Sequence, residues 1–246
     1  ILLSFALLPI LLSITEQPNF ANPKSLSLKE LFRISPLGFV GALSTGLIHS
    51  AVFGYGAVYA ASKEFGVFEI SIFMVIISSF GAISQWPIGY LSDKIDRRII
   101  LIGTTFIASG LCLFIVASSY ISLIVFFVFV ALYSSMCLPM YSLAVAHIND
   151  FLKPDEIVAA SSSFAILVGI GAVMGPILVS SFMSLIGPNG YFVYLLIGHT
   201  LLGLFGLYRM AKRAKPEDLE SQYTPLPRNI TPAGMELNPV TDPIEE

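Results

Sequence analysis

The residues whose types and spacing could do chemistry lie together between two apolar stretches, in the run Gly89-Tyr90-Leu91-Ser92-Asp93-Lys94-Ile95-Asp96-Arg97-Arg98. A carboxylate such as Asp93 can accept hydrogen bonds from the exposed N–H groups at the start of a neighbouring helix, where the helix dipole also favours an anion. Arg97 and Arg98 can pair with carboxylates or lipid phosphates, and Gly89 permits close approach between helices. This pattern predicts a contact that joins two helix bundles. The alternative is a basic stop at the membrane surface without a specific partner.

Two histidines are the next candidates, because no Asp, Glu, Lys or Arg stands in the middle of an apolar stretch. His49, beside Thr45 and Ser50, can gain or lose a proton near neutral pH, so it is a candidate to contact a substrate or to carry a proton. A hydrogen bond to a neighbouring helix is the alternative. For His199 a structural role is expected.

Tyrosines form two further sets at helical spacing. Tyr55 and Tyr59 share one face of their helix, and Tyr133, Cys137 and Tyr141 are predicted to share a face of another. Both sets are candidates to line a cavity for a neutral or lipophilic solute. Simple packing is the alternative for both.

The elements that must position these residues are membrane-spanning helices. The chain is 55% hydrophobic and only 12% charged, and a soluble domain of this length carries roughly twice that charged fraction. A helix needs roughly 20 apolar residues to cross a bilayer, and six stretches qualify: 37–61, 67–91, 99–118, 120–146, 157–186 and 190–209. A shorter stretch at 1–14 is interpreted as the end of an earlier span, so the chain is expected to be a fragment of a longer protein.

Lys and Arg predict the orientation, because cytoplasmic connections carry an excess of them. Only Lys63 falls on one side of the predicted spans. The other side carries Lys24, Lys29, Arg33, Lys94, Arg97, Arg98, Lys153, Arg209, Lys212, Arg213 and Lys215. That side is predicted to be cytoplasmic, in a plasma membrane of the bacterial inner-membrane type.

Four segments follow from this reading: the end of an earlier span (1–15), a cytoplasmic connector (16–35), a six-helix bundle (36–209) and a tail (210–246). In the connector, Ser27-Leu28-Lys29-Glu30 fits a capping box. It predicts a short amphipathic helix on the cytoplasmic surface, or else an ordinary lead-in to the next span. The tail is rich in proline and acidic residues and is expected to be disordered.

The charged run resembles the loop signature of the major facilitator superfamily, Gly-x-Leu-Ala-Asp-Arg-x-Gly-Arg-Arg, which follows the family's second and eighth helices. The matching positions are Gly89, Leu91, Asp93, Arg97 and Arg98. Ser92 replaces Ala, Lys94 replaces Arg, and Asp96 stands where the family usually has Gly. Aspartate tolerates a left-handed backbone better than most residues.

A second element, Gly169-Ile170-Gly171-Ala172-Val173-Met174-Gly175-Pro176, resembles the Gly-x-x-x-Gly-Pro element that many exporters of this superfamily carry in their fifth helix. Here it falls in the pseudo-symmetric eleventh helix. Gly171 and Gly175 make a smooth face for close packing, and Pro176 weakens the helix locally, where it can bend. Small-residue packing without a hinge is the alternative.

The resemblance implies an all-α, polytopic membrane fold, namely the six-helix C-terminal bundle of the superfamily, built from two inverted three-helix repeats. It implies a secondary active transporter of small solutes, working by alternating access, with export the favoured direction and a proton the candidate coupling ion. The implied partners are a small-molecule substrate, the lipid bilayer and the N-terminal bundle of the same protein, whose fifth helix Asp93 would face. No cofactor, metal or nucleic acid is expected.

Two other functional classes stay open beside transport, although an enzyme is not the prediction. Six spans with two buried histidines suit an intramembrane enzyme, but the chain lacks the Gly-x-Ser-Gly and His-Glu-x-x-His motifs of known intramembrane proteases. A membrane sensor or subunit that does not transport would use the acidic tail for docking.

Overall fold

The computed structural model describes residues 26–118, 122–152 and 156–212, and within these ranges the chain is helical, without a strand. The predicted end of an earlier span, the first part of the connector and the tail beyond 212 lie outside the described residues, as do residues 153–155.

The chain forms one short helix followed by a bundle of long ones. The short helix is α1 (Leu28–Ile34), and the bundle consists of α2 (Pro36–Ser62), α3 (Val67–Lys94), α4 (Arg97–Ser118), α5 (Leu123–Cys137), α6 (Met140–Asn149), α7 (Ile157–Ile186) and α8 (Gly190–Lys212). Helices α5 and α6 together make one span, so six segments are long and apolar enough to cross a membrane. The six predicted spans and the all-α fold are confirmed, and the chain is an integral, multi-pass membrane protein.

Local sequence explains where several helices begin and end. The Ser35 hydroxyl accepts a hydrogen bond from the Gly38 N–H (3.3 Å) at the start of α2, and Pro36 occupies the first helical position, where a missing N–H costs nothing. Helix α7 ends at Gly187, whose φ of 75° is a conformation that glycine adopts without strain.

The span made by α5 and α6 is interrupted at Leu138–Pro139. Proline has no N–H to donate to the carbonyl four residues earlier, and its ring crowds the preceding turn. The helix therefore stops at Cys137 and restarts at Met140. This break lies inside a predicted span and changes which side chains of that span face inward.

The bundle has an aromatic core at the end away from the charged loop. Tyr59 stacks on Tyr191 with ring centroids 4.9 Å apart and meets Phe192 edge-on at 5.0 Å. Phe73 and Phe126 complete the cluster, and all five side chains are fully buried. Aromatic pairs in these geometries add stabilisation beyond their buried area, so four of the spans are fixed together at this end.

A second apolar cluster lies at the charged-loop end, and α1 belongs to it. Leu31 of α1 is completely buried with Ala144 and Ile148 of α6 and with Phe164 of α7. The predicted capping box is confirmed: Ser27 N–H donates to Glu30 Oε2 (2.8 Å), and Glu30 N–H donates to Ser27 Oγ (3.3 Å). Because one face of α1 is buried and Lys29 and Arg33 are exposed, this short helix is an amphipathic cover on the bundle.

The two helices α3 and α7 are the least covered. In an apolar 18-residue stretch of each of these two helices only 22% is buried inside the bundle, against 50% in the corresponding stretch of each of the other four spans. Along α3 the exposed side chains include Val75, Phe80, Ile83 and Trp86. In a membrane protein, faces this apolar meet lipid or other helices.

The capping box generates a prediction about pH. Hydrogen bonds from the Ser27 hydroxyl and backbone N–H, with a smaller contribution from Arg33, lower the pKa of Glu30 from its ordinary value of 4.5. A lowered folded-state pKa means that the stabilisation is complete above that ordinary value and is lost as the pH falls through the folded pKa. Amide exchange of residues 28–34, referenced to an unfolded peptide at each pH, should show constant protection from pH 8 to about 5 and a loss at lower pH.

The matched control is Glu30→Gln, which keeps an acceptor for the Ser27 N–H but does not titrate. Its protection should be independent of pH across the same window. A loss of equal size in the variant would show that the pH step arises elsewhere.

Candidate functional site

Arg97 ties the charged loop to a distant helix. Its Nη2 donates to Asp93 Oδ1 (2.9 Å), one turn back across the loop. Its Nη1 donates to the Ala146 carbonyl (3.2 Å) and to Asp150 Oδ1, both at the end of α6. One guanidinium therefore fixes the junction of α3 and α4 against α6. The sequence run alone gave no sign of the partner Asp150, because it lies about 50 residues further along the chain.

Arg98 and Asp96 form a second, more buried pair. Arg98 Nη2 donates to Asp96 Oδ2 (2.7 Å) and Nε donates to both carboxylate oxygens (3.1 Å each). Asp96 Oδ1 also accepts from the Arg98 backbone N–H (2.9 Å), so Asp96 caps the start of α4. Its backbone is not left-handed, since Glu64 is the only non-glycine residue with positive φ among those described. An aspartate directly before a helix is a capping signal that the sequence already carried.

Apart from the buried Ser92, the remaining residues of the run are partly or fully exposed. A Cβ built on Gly89 meets nothing within 4 Å, and Leu91 is exposed. The Asp93 side chain is 66% exposed even with its Arg97 contact. Lys94 Nζ lies 4.3 Å from the centre of the Tyr90 ring, a cation–π contact on the same helix. An open glycine and an open carboxylate on one helix end leave room for another helix to approach.

His49 lies partly buried on α2 and bonds to the break in the α5–α6 span. Its Nε2 is 3.1 Å from the Cys137 carbonyl oxygen, the last residue of α5. A carbonyl can only accept, so Nε2 carries the hydrogen, and in the neutral ring Nδ1 is then the acceptor. Carbonyls at a helix end lack an intrahelical donor, and His49 supplies one from a neighbouring helix.

His199 lies deeper and continues a line of polar groups across the bundle. Its Nε2 is 3.2 Å from the Tyr133 hydroxyl, and both side chains are buried. Tyr133 stands one turn before Cys137 on α5. The His49 bond to α5 and the Tyr133–His199 bond therefore connect α2, α5 and α8 inside an otherwise apolar bundle.

The tyrosine candidates separate into buried and accessible ones. Tyr59 and Tyr133 lie in the interior of the bundle, whereas Tyr55 is partly exposed. The prediction that Tyr133, Cys137 and Tyr141 share a face is wrong, because Tyr133 and Cys137 are buried while Tyr141 is 45% exposed. Eight residues of a regular α-helix already rotate a side chain by about 80°, and the Tyr141 ring meets Phe164 of α7, with centroids 5.2 Å apart.

Helices α2 and α7 approach so closely that their backbones touch. A Cβ on Gly171 would overlap the Leu43 carbonyl and lie 2.7 Å from the Leu47 N, and one on Gly175 would overlap the Leu47 carbonyl and the Ser50 hydroxyl. Gly46 on α2 completes the contact, since its Cβ would overlap the Val168 carbonyl. The sequence reading missed Gly46, although the four-residue spacing of Ala42, Gly46 and Ser50 is the small-residue pattern of such contacts. Pro176 follows within α7, 4.0 Å from a Cβ on Gly54.

Comparison with known proteins assigns the family. The sequence model described as Major Facilitator Superfamily matches residues 1–146 and 39–239 in two overlapping segments. The chain belongs to the major facilitator superfamily. Members of this family are membrane transporters, and here the charged run and the glycine element occur in a chain whose described residues include six helices long and apolar enough to cross a membrane.

Curated relatives of the chain carry only general names. The chain is 22% identical over 189 residues to the "Uncharacterized MFS-type transporter YcaD" of Escherichia coli strains HS, Crooks and SMS-3-5. The aligned region covers 76% of this chain and 48% of each relative, so the chain spans about half the length of the curated relatives it matches. No solved structure gives a significant match.

The glycine contact predicts a strong effect of single methyl groups. Gly171→Ala and Gly175→Ala place a Cβ against backbone atoms that cannot move aside, and each should lower the free energy of unfolding by about 1–3 kcal/mol. Cys112 and Cys137 are the two cysteines of the chain and both are buried, so a thiol-reactive dye reports the unfolding midpoint. Gly169→Ala is the control on the same helix, because nothing lies within 4 Å of its Cβ. Equal midpoints for Gly171→Ala and Gly169→Ala would refute the contact.

The His49 hydrogen bond predicts a difference between two variants. His49→Leu removes the donor to the Cys137 carbonyl and should destabilise the chain by about 0.5–1.5 kcal/mol. His49→Gln places an amide N–H near the position of Nε2 and should retain more than half of that stability, measured with the same dye. If both variants unfold like the native chain, the bond contributes nothing and the structural reading of His49 fails.

Proposed function

We propose that this chain is the C-terminal bundle of a twelve-helix secondary active transporter of small solutes that works by alternating access. The observation that carries the proposal is the low burial of α3 and α7. In each of these two spans only 22% of an apolar 18-residue stretch is buried inside the bundle. A second bundle placed against these faces would leave a cavity between the two, where transporters of this type bind substrate. The relatives of about twice the length support such a second bundle.

The charged loop supports a contact between the two bundles at this end. Arg97 and Arg98 are already bonded within the chain, to Asp150 and Asp96 respectively. Asp93 keeps most of its side chain exposed, beside a glycine with open space around it. In the proposed assembly Asp93 accepts hydrogen bonds from the start of the fifth helix of the N-terminal bundle. Breaking and remaking this contact would accompany the change of access.

The polarity of the spans supports a substrate that needs no countercharge from this bundle. Within the described residues, the middle of each span carries no Asp, Glu, Lys or Arg. His49 and Tyr55 are the partly exposed polar side chains of α2 among the candidates. We therefore assign a neutral or lipophilic solute to the cavity, with export as the direction. A coupling proton would be carried by His49 or by the N-terminal bundle.

The distribution of Lys and Arg supports the orientation. The start of α2, the α3–α4 loop and the ends of α6 and α8 lie at one end of the bundle, and Lys63 lies at the other. By the positive-inside rule the charged-loop end is cytoplasmic, and the membrane is the bacterial inner membrane.

The test is single-cysteine labelling at positions 49 and 93 in the full-length transporter in membranes, with Cys112 and Cys137 replaced. Position 93 should react only with a reagent added from the cytoplasmic side. Position 49 should react at a rate that depends on the side of access and changes when a substrate or a pH gradient shifts the conformation. The physical reason is that a residue in an alternating cavity is wet from one side at a time.

Gly169 provides a matched position for the labelling, since it lies open on α7. A cysteine at 169 reports whether the face of α7 is wet or lipid-covered in the same membranes. If a cysteine at position 49 reacts with reagent from neither side, residue 49 does not line an alternating cavity. If a cysteine at position 93 reacts from outside, the proposed topology is wrong.

A further inference from the structure

A cleft lined by basic side chains lies where four helix ends meet, and the transport mechanism does not use it. Its walls are residues 35–37 at the start of α2, Arg98 at the start of α4, His147 and Phe151 at the end of α6, and Arg209 near the end of α8. Arg98 and His147 are more than nine-tenths buried. The cleft therefore lies among the ends of the bundle helices and is not a feature of a surface loop.

The charges around this basic cleft do not cancel. Asp96 neutralises Arg98 through the bidentate contact. Arg209 has no carboxylate partner within the described part of the chain. The N-terminal ends of α2 and α4 add the positive ends of two helix dipoles, while Arg209 and His147 offset the negative C-terminal ends of α8 and α6. Arg209 is therefore an arginine of the cleft whose charge no carboxylate of the described residues neutralises, and it can bind an anion.

The cleft also has the polar and apolar parts that a lipid headgroup needs. The Ser35 hydroxyl accepts from the Gly38 N–H, which leaves its own O–H as a donor. Leu37 and Phe151 provide apolar wall beside the cations. All lining residues stand at the ends of spans, which is the depth of the headgroups in a bilayer.

We propose that this cleft binds the phosphate group of an anionic phospholipid, with Arg209 as its principal cationic ligand. Arginine binds phosphate oxygens through two parallel N–H donors, and the cytoplasmic leaflet supplies anionic headgroups. The proposal uses the sidedness assigned above, but neither its site nor its test depends on transport.

The experiment measures the unfolding midpoint of the purified chain in neutral detergent with the thiol-reactive dye. Mixed micelles contain phosphatidylglycerol, phosphatidylcholine or no lipid, and a further sample receives inorganic phosphate alone. Phosphatidylglycerol should raise the midpoint of the native chain, with an effect that weakens at high salt, and phosphatidylcholine should raise it less. In Arg209→Gln the apparent affinity for phosphatidylglycerol should fall about five- to tenfold.

The matched control is Lys212→Gln, which removes one positive charge from the same helix end. Lys212 is exposed and its Nζ lies 4.9 Å from the Tyr208 ring, outside the cleft. This variant should respond to phosphatidylglycerol like the native chain. If Lys212→Gln and Arg209→Gln lose the same apparent affinity for phosphatidylglycerol, the lipid responds only to the overall positive charge of this helix end, and the proposed site is overturned.

Two other outcomes also decide the question. If inorganic phosphate alone raises the midpoint of the native chain as much as phosphatidylglycerol does, and Arg209→Gln abolishes both effects, the ligand is a soluble phosphate and the lipid assignment is overturned. If phosphatidylglycerol and phosphatidylcholine act equally on the native chain and on Arg209→Gln, the cleft binds no anion. Neither outcome bears on the proposed transport activity.

Discussion

The backbone contact between α2 and α7 constrains the positions of the other helices in this bundle. Lipid tails are as apolar as the side chains of the spans, so helices in a membrane gain little from burying hydrophobic surface and depend on close packing. Gly46, Gly171 and Gly175 have no side chain at the points where the two backbones touch. The distance between α2 and α7 is fixed by this contact. On α2, His49 then bonds to the end of α5, while most of the apolar stretch of α7 stays unburied.

The interruption of the α5–α6 span is the second feature on which the polar interior depends. The Cys137 carbonyl stands at the end of α5 and is bonded by His49 Nε2 from α2. One turn earlier, Tyr133 bonds to His199 of α8, whereas Tyr141, beyond the break, is exposed. Polar groups at membrane depth are costly unless they are bonded. This line of contacts therefore ties three spans together.

The charged loop combines two kinds of contact within ten residues. Asp96 and Arg98 build the turn itself, through a helix cap and a buried ion pair. Arg97 bonds across to α6, and Asp93 keeps 66% of its side chain exposed beside its Arg97 contact. A loop whose own geometry is already satisfied can make and lose an external contact without unfolding. That property supports the proposal of a joint between two bundles.

The sequence by itself determined the six spans, their charge asymmetry, the capping box of α1 and the family, because hydropathy, caps and short motifs are local properties. It also carried the capping signal of Asp96 and the small-residue spacing of Gly46. Only the tertiary structure decided that Arg97 meets Asp150, that His49 bonds to Cys137 and that Tyr59 is buried while Tyr141 is not. These contacts join residues tens of positions apart or follow from one proline break. They depend on how the helices are rotated against one another, and local periodicity does not specify that rotation.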